Sequence, residues 1–141
     1  MTIRFLLISV LLMFSSASIA AEQSFRDVAD DYLGFVERNA GIITPQQLHQ
    51  VDMDKVYLLN VNSENQFKQG LRLPNSHHMD WREVLERSEE IPRDKTVVVY
   101  CNTMLYSSRA QLLLNMDGFE NILLLQGGLN NWNSYVSNLQ E

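Results

Sequence analysis

Apolar positions change their spacing several times along the chain, and each change marks an element. Between Ser24 and Asn39 the residues Phe25, Val28, Ala29, Tyr32, Phe35 and Val36 recur at helical intervals, with Arg26, Asp27, Asp30 and Glu37 between them. This spacing predicts an amphipathic helix that closes near Gly41. Beyond it, short β-prone runs alternate with helical stretches. Ile42-Ile43, Val56 to Val61, His77-His78-Met79, Thr96 to Tyr100 and Ile122 to Leu125 read as strands. Thr44 followed by Pro45 opens a helix through Gln50, and Ser63 to Gln66 has the spacing of a capping box for a short helix that Gly70 ends. Asp80 to Glu83 repeats that spacing and predicts a helix through Arg87. Ser107 or Ser108 is placed to cap a helix that carries Ala110, Leu112, Leu113, Leu114 and Met116 and stops at Asp117-Gly118. After the Gly127-Gly128 turn, Leu129 to Leu139 forms the last helix.

Strands alternating with helices over short connections predict a parallel sheet with helices on both faces, a three-layer α/β/α fold. Ligands of such sheets bind outside the carboxyl ends of the strands. The chain has 141 residues, 45% hydrophobic and 20% charged, which suits one globular domain. No internal repeat, linker or low-complexity segment interrupts the pattern.

The first twenty residues follow a different rule. Arg4 precedes the apolar run Phe5 to Phe14, and small residues including Ser18 and Ala20 follow. This is the pattern of a cleavable secretory signal with its cut after Ala20, and its apolar run is short for ~30 Å of hydrocarbon. The expected organisation is therefore a signal peptide over 1–20, a helical extension over 21–41 and a domain over 42–138, in a periplasmic or secreted protein with no membrane segment after signal removal.

Loss of Arg4 takes the formal charge from −6 to −7. An acidic chain without basic clusters is not expected to bind nucleic acid or anionic membranes. A single cysteine cannot close an internal disulfide in an oxidising compartment, so Cys101 is a buried hydrophobe, half of an intermolecular bridge or a reactive thiol. It stands directly after the most β-prone run in the chain and before a helix. There, loop amides and the helix dipole favour a thiolate or persulfide.

At this point the chain resembles the rhodanese family of sulfurtransferases over about Ile42 to Val136. Four stretches carry the resemblance: Ile43-Thr44-Pro45, Leu59 to Phe67, Val99-Tyr100-Cys101 with its loop, and Gly118 to Ile122 continuing through Gly127 to Trp132. The resemblance implies a five-stranded parallel sheet and a persulfide on Cys101 cradled by the following loop. The substrate-binding residues it implies are Asn102, Thr103, Met104, Leu105, Tyr106 and Ser107. Cys101 to Tyr106 matches the family's six-residue loop. The sister phosphatases have a loop one residue longer that ends in arginine, whereas position 107 is serine.

The chain departs from the family pattern at Met104 for the usual glycine, Tyr106 for the frequent arginine, and Asn60 and Asn62 for the usual aspartate and arginine. Without the arginine a doubly charged donor such as thiosulfate loses a contact of about 1.5–3 kcal/mol. The apolar rim of Met104, Leu105 and Tyr106 fits an organic thiosulfonate, a polysulfide or a protein persulfide. The expected reaction moves sulfane sulfur from such a donor to cyanide or a thiol, the latter free or on a protein, and requires no metal or organic cofactor. Two alternatives stay open, a catalytically weak or inactive binding module and a redox tether through Cys101.

Other residues read as structural. His77 and His78 are adjacent on a strand, so they point to opposite faces and make no metal pair. Trp81, Trp132 and Tyr135 read as packing residues. Arg72 and Arg109 are the cations placed nearest the loop, at solvated positions.

Overall fold

The computed structural model describes residues 26, 27, 29, 30, 33, 34, 41–70 and 72–140. The chain divides into Met1–Glu37 and Arg38–Glu141. In the first unit the described residues are helical, with Leu33 exposed. The expected signal peptide and the remaining positions of the expected amphipathic helix lie outside the described residues. None of the described helices is long and apolar enough to cross a membrane.

The second unit is built on β4, Thr96–Tyr100, whose last four residues are fully buried. A strand covered on both faces needs apolar side chains at every position, and branched valines supply them. It pairs in parallel with β2, Val56–Asn60, on one side and with β5, Ile122–Leu125, on the other. β3, His77–His78, and β1, Ile42–Ile43, complete a five-stranded, all-parallel sheet of order β1-β5-β4-β2-β3.

Side chains alternate across the sheet and build two cores. Leu59, Val61, Val97 and Val99 pack with Ala110 and Leu114 of α3, Leu105–Met116, and with Val84 and Ile91. Leu58, Val98, Tyr100 and Leu125 pack with Leu48 of α1, Pro45–Gln50, and Leu129 of α4, Gly128–Asn138. Each buried valine, leucine or isoleucine among them contributes ~1.5–3 kcal/mol. The three-layer fold is thus the expected one.

Local signals decide most boundaries. Thr44 caps α1 as expected and forms a reciprocal box with Gln47. α2, Glu64–Gln69, starts after Ser63, whose amide and hydroxyl both donate to Gln66 Oε1, and ends at Gly70. The helix expected from Asp80 to Arg87 does not form. Trp81 to Arg87 is a run of turns leading into the 3-10 turn Ser88–Glu90. The cause lies at Asp80. Its carboxylate accepts from the Arg82 amide at 3.0 Å and from Arg82 Nε at 2.9 Å, so the side chain serves a local turn rather than a helical first turn.

Candidate active site

The register of β2 and β4 sets the site. Asn60 lies opposite Tyr100, and Val61 N donates to Tyr100 O at 2.9 Å, so the residues leaving both strands run side by side. These residues are Asn62 from β2 and Cys101-Asn102 from β4. Asn62 Nδ2 donates to Asn102 Oδ1 at 3.1 Å, and Asn102 N donates to Asn62 Oδ1 at 3.3 Å. Asn62 N in turn donates to Asn60 Oδ1 at 3.0 Å. Three amides therefore tie the start of the loop to the neighbouring strand without any charge.

The opposite side of the loop is held by α4. Leu129 N donates to Cys101 O at 2.8 Å, and Asn130 N to Asn102 O at 3.0 Å. These contacts require close approach. A Cβ on Gly128 would collide with the carbonyl oxygens of Thr103 and Cys101, and both Gly127 and Gly128 have positive φ, 71° and 62°. The expected tight turn is thus also the wall of the loop.

Within this frame Cys101 is buried, 1% exposed, at the carboxyl end of β4. The loop is shorter than expected, because Leu105 and Tyr106 belong to the first turn of α3. Neither Ser107 nor Ser108 caps the helix. Met104 occupies the cap position, and its thioether makes no capping bond. The Ser107 hydroxyl lies 3.4 Å from Cys101 Sγ and donates to Met104 O at 3.4 Å. A serine already inside the first turn turns back toward the thiol and cannot serve as the cap.

Ser108 N donates to Met104 O at 2.9 Å, and Leu105 N donates to Thr103 Oγ1 at 3.3 Å. Among the described residues, the amides of Thr103, Met104, Tyr106 and Ser107 donate to no protein acceptor. Such donors at a helix start favour an anion. The structure brings Cys101, Asn102, Thr103 and Met104 together in one loop and sets Ser107, from the first turn of α3, against the thiol. Leu105, 55% exposed, and the half-buried Tyr106 form the loop's outer edge.

The rim is aromatic and cationic. Trp81 packs on the core beside Tyr106, but its ring also stacks against Tyr106 at 6.0 Å and 3°. The Arg109 guanidinium lies 5.2 Å over the Trp81 ring, and Arg72 lies 4.7 Å over Phe67. Both arginines are exposed, as expected, yet each is held by an aromatic face. Arg82 pairs with Asp80, and its hydrogen bonds hold the Asp80 carboxyl below its ordinary range. His77 stacks on Tyr57 and His78 on Phe67. Among the described residues no group of three His, Cys, Asp or Glu could hold a metal ion.

Sequence reading missed the Asn62–Asn102 clamp and the role of Gly128 as a wall. The signals were present: two asparagines at a strand end, and a glycine pair one strand after the cysteine. Asparagine spacing alone does not name a partner forty residues away.

A family profile described as rhodanese-like domain matches residues 44–135. A sulfurtransferase of Allochromatium vinosum is 30% identical over 81 residues, which cover 57% of this chain and 75% of that protein. Among solved structures, a rhodanese-related protein from Thermoplasma volcanium superposes with a TM-score of 0.60 at 24% identity, covering 67% of this chain and 91% of that one, a likeness of fold. An NAD-dependent persulfide reductase from A. fulgidus gives 0.52 at 32% identity, covering 64% of this chain but 15% of that one. With the sheet, the cysteine and its loop in place, the chain belongs to the family of rhodanese-like domains.

Proposed function

We propose that this chain is an exported sulfurtransferase that carries sulfane sulfur on Cys101 as a persulfide. The observation that carries the reading is the setting of Sγ, which lies 3.4 Å from Ser107 Oγ at the start of α3, in a loop whose Thr103 and Met104 amides donate to no acceptor among the described residues. The Cys101 thiolate attacks the outer sulfur of a donor such as thiosulfate. The new S–S bond forms as the donor's S–S bond breaks and its electron pair leaves with sulfite. The persulfide's terminal sulfur then passes to cyanide or a thiolate, which regenerates the Cys101 thiolate. No electrons are gained or lost overall, and free loop amides are suited to an anionic persulfide.

The pattern of residues 1–20 supports export. The neutral loop supports polysulfides, organic thiosulfonates or protein persulfides as donors over thiosulfate. Intact-mass measurement after incubation with polysulfide or thiosulfate tests the reading. The protein is expected to gain the mass of one sulfur atom, and Cys101→Ser to gain none. A gain in the variant, or none in the parent with any donor, overturns it. The burial of Cys101 within an apolar cluster favours a second reading, a binding module. In that case no donor loads the protein.

A further inference from the structure

From Asn102 to Ser108 the loop and helix start carry no charge, because Tyr106 occupies the place where the family carries a loop arginine. A cation nonetheless stands next to the loop's outer edge, linked to Tyr106 through the Trp81 ring. Trp81 is fixed to the carboxyl edge of the sheet by its amide, which donates to Val61 O at 3.3 Å. Its ring stacks on Tyr106. Arg109, one helical turn beyond Tyr106, is parked over the same ring. Among the described residues no carboxylate pairs with Arg109, whereas Arg82, Arg87 and Arg93 are each ion-paired.

A guanidinium lying over an aromatic ring keeps its in-plane N–H groups open for a second partner. Those groups match two oxygens of a sulfonate-type anion. Arg82 cannot do this as readily, since Asp80 already occupies its Nε and Nη2 at 2.9 and 2.7 Å.

We propose that Arg109, held by Trp81, receives the oxyanion end of the sulfur donor and of the sulfite that leaves. It is a specificity-determining residue supplied by the helix, where the loop itself offers only amides. The proposal rests on the sulfur-transfer reading, and its test has an arm that does not.

Sulfite, which cannot load sulfur, is titrated into Cys101→Ser protein and followed by tryptophan fluorescence, with Trp132→Phe assigning the signal to Trp81. Saturable binding is expected. Adding Arg109→Gln should weaken it about ten-fold, the low end for a charge-assisted contact at a solvated rim. Arg109→Lys should recover part of the loss, and Arg72→Gln should leave it unchanged. With Cys101 intact, Arg109→Gln should raise KM for thiosulfate by about the same factor and change kcat little. Absence of sulfite binding, an Arg109→Gln affinity equal to the parent's, or an equal loss in Arg72→Gln overturns the proposal. Arg109-dependent sulfite binding in a protein that no donor loads would retain the anion site and reject sulfur transfer. Persulfide formation with an unchanged thiosulfate KM in Arg109→Gln would do the reverse.

Discussion

Gly128→Ala isolates how closely α4 must approach the loop. Two costs add at this position. An L-residue at φ 62° loses about 1–2 kcal/mol to left-handed backbone strain. The new Cβ also meets the carbonyl oxygens of Thr103 and Cys101, which are backbone atoms and cannot rotate away. Relief requires the start of α4 to retreat, and that stretches the bonds from Leu129 N to Cys101 O and from Asn130 N to Asn102 O. At about 0.5–1.5 kcal/mol each, their loss brings the expected destabilisation to roughly 2–5 kcal/mol. Gly118 supplies the comparison, for its φ is 82° but nothing lies within 4 Å of a Cβ there. Gly118→Ala should therefore cost only the backbone share, about 1–2 kcal/mol.

Urea unfolding followed by tryptophan fluorescence gives both values, and the rate of sulfur loading reports the loop. Gly128→Ala should be the less stable by at least about 1 kcal/mol and should load slowly, while Gly118→Ala loads at the parental rate. If Gly128→Ala fails to fold and Gly118→Ala folds, the effect has only exceeded the stability available to a small domain. Equal stabilities with equal loading rates would refute the reasoning.

Three further changes probe the surrounding scaffold. Asn62→Ala removes both contacts to Asn102 and should cost about 1–3 kcal/mol in urea unfolding and slow sulfur loading, read by intact mass, on the order of ten-fold. Tyr100→Phe leaves the buried Leu73 amide, which donates to Tyr100 Oη at 3.2 Å, without its acceptor, and should cost about 1–3 kcal/mol by the same unfolding assay. Asp80→Asn tests the pH dependence. Arg82 hydrogen bonds depress the Asp80 carboxyl in the fold, so its stabilisation is present above the unfolded value near pH 4 and is lost as pH falls through the lower folded value. The parent should exceed Asp80→Asn by about 1 kcal/mol or less at pH 7, because Arg82 is 66% exposed, and the gap should close below about pH 4.

Much of this arrangement was legible from local signals. Thr96 to Tyr100 and Ile122 to Leu125 are strands with the expected ends, because a largely buried parallel strand reads as an apolar run between polar residues such as Lys95 and Asn121. Thr44 and Ser63 announce their helices through side chains that act within three residues. The failures occur where a side chain had two possible partners. Asp80 has capping-box spacing, but Arg82 two residues on competes for the same carboxylate. Ser107 has the chemistry of a cap, yet a cysteine at the strand end and the Met104 carbonyl draw its hydroxyl into the site. Cys101 itself was placed by its position between strand and helix. Its clamps were not legible, since Asn62 and Gly128 act across strands and register decides what they meet.

The departures from the family pattern have one physical sense when taken together. An aspartate and an arginine at positions 60 and 62 would be charges at sites only 1% and 2% exposed, where desolvation opposes much of the gain from pairing. Asparagines at both positions tie the loop to β2 through hydrogen bonds between uncharged amides. Tyr106 extends that neutrality to the helix start, so among the described residues the interior offers an anion stabilisation from dipoles. Dipoles of a few amides suit the single charge of a thiolate or persulfide at Cys101, but they do not match a second charge carried by the donor. That second charge must be met at the rim, in contact with solvent, where Arg109 stands on Trp81. A site divided in this way holds one transferred sulfur firmly and its dianionic donor loosely. Its preference among donors should therefore follow their charge, with monoanionic or neutral sulfane sulfur favoured over thiosulfate.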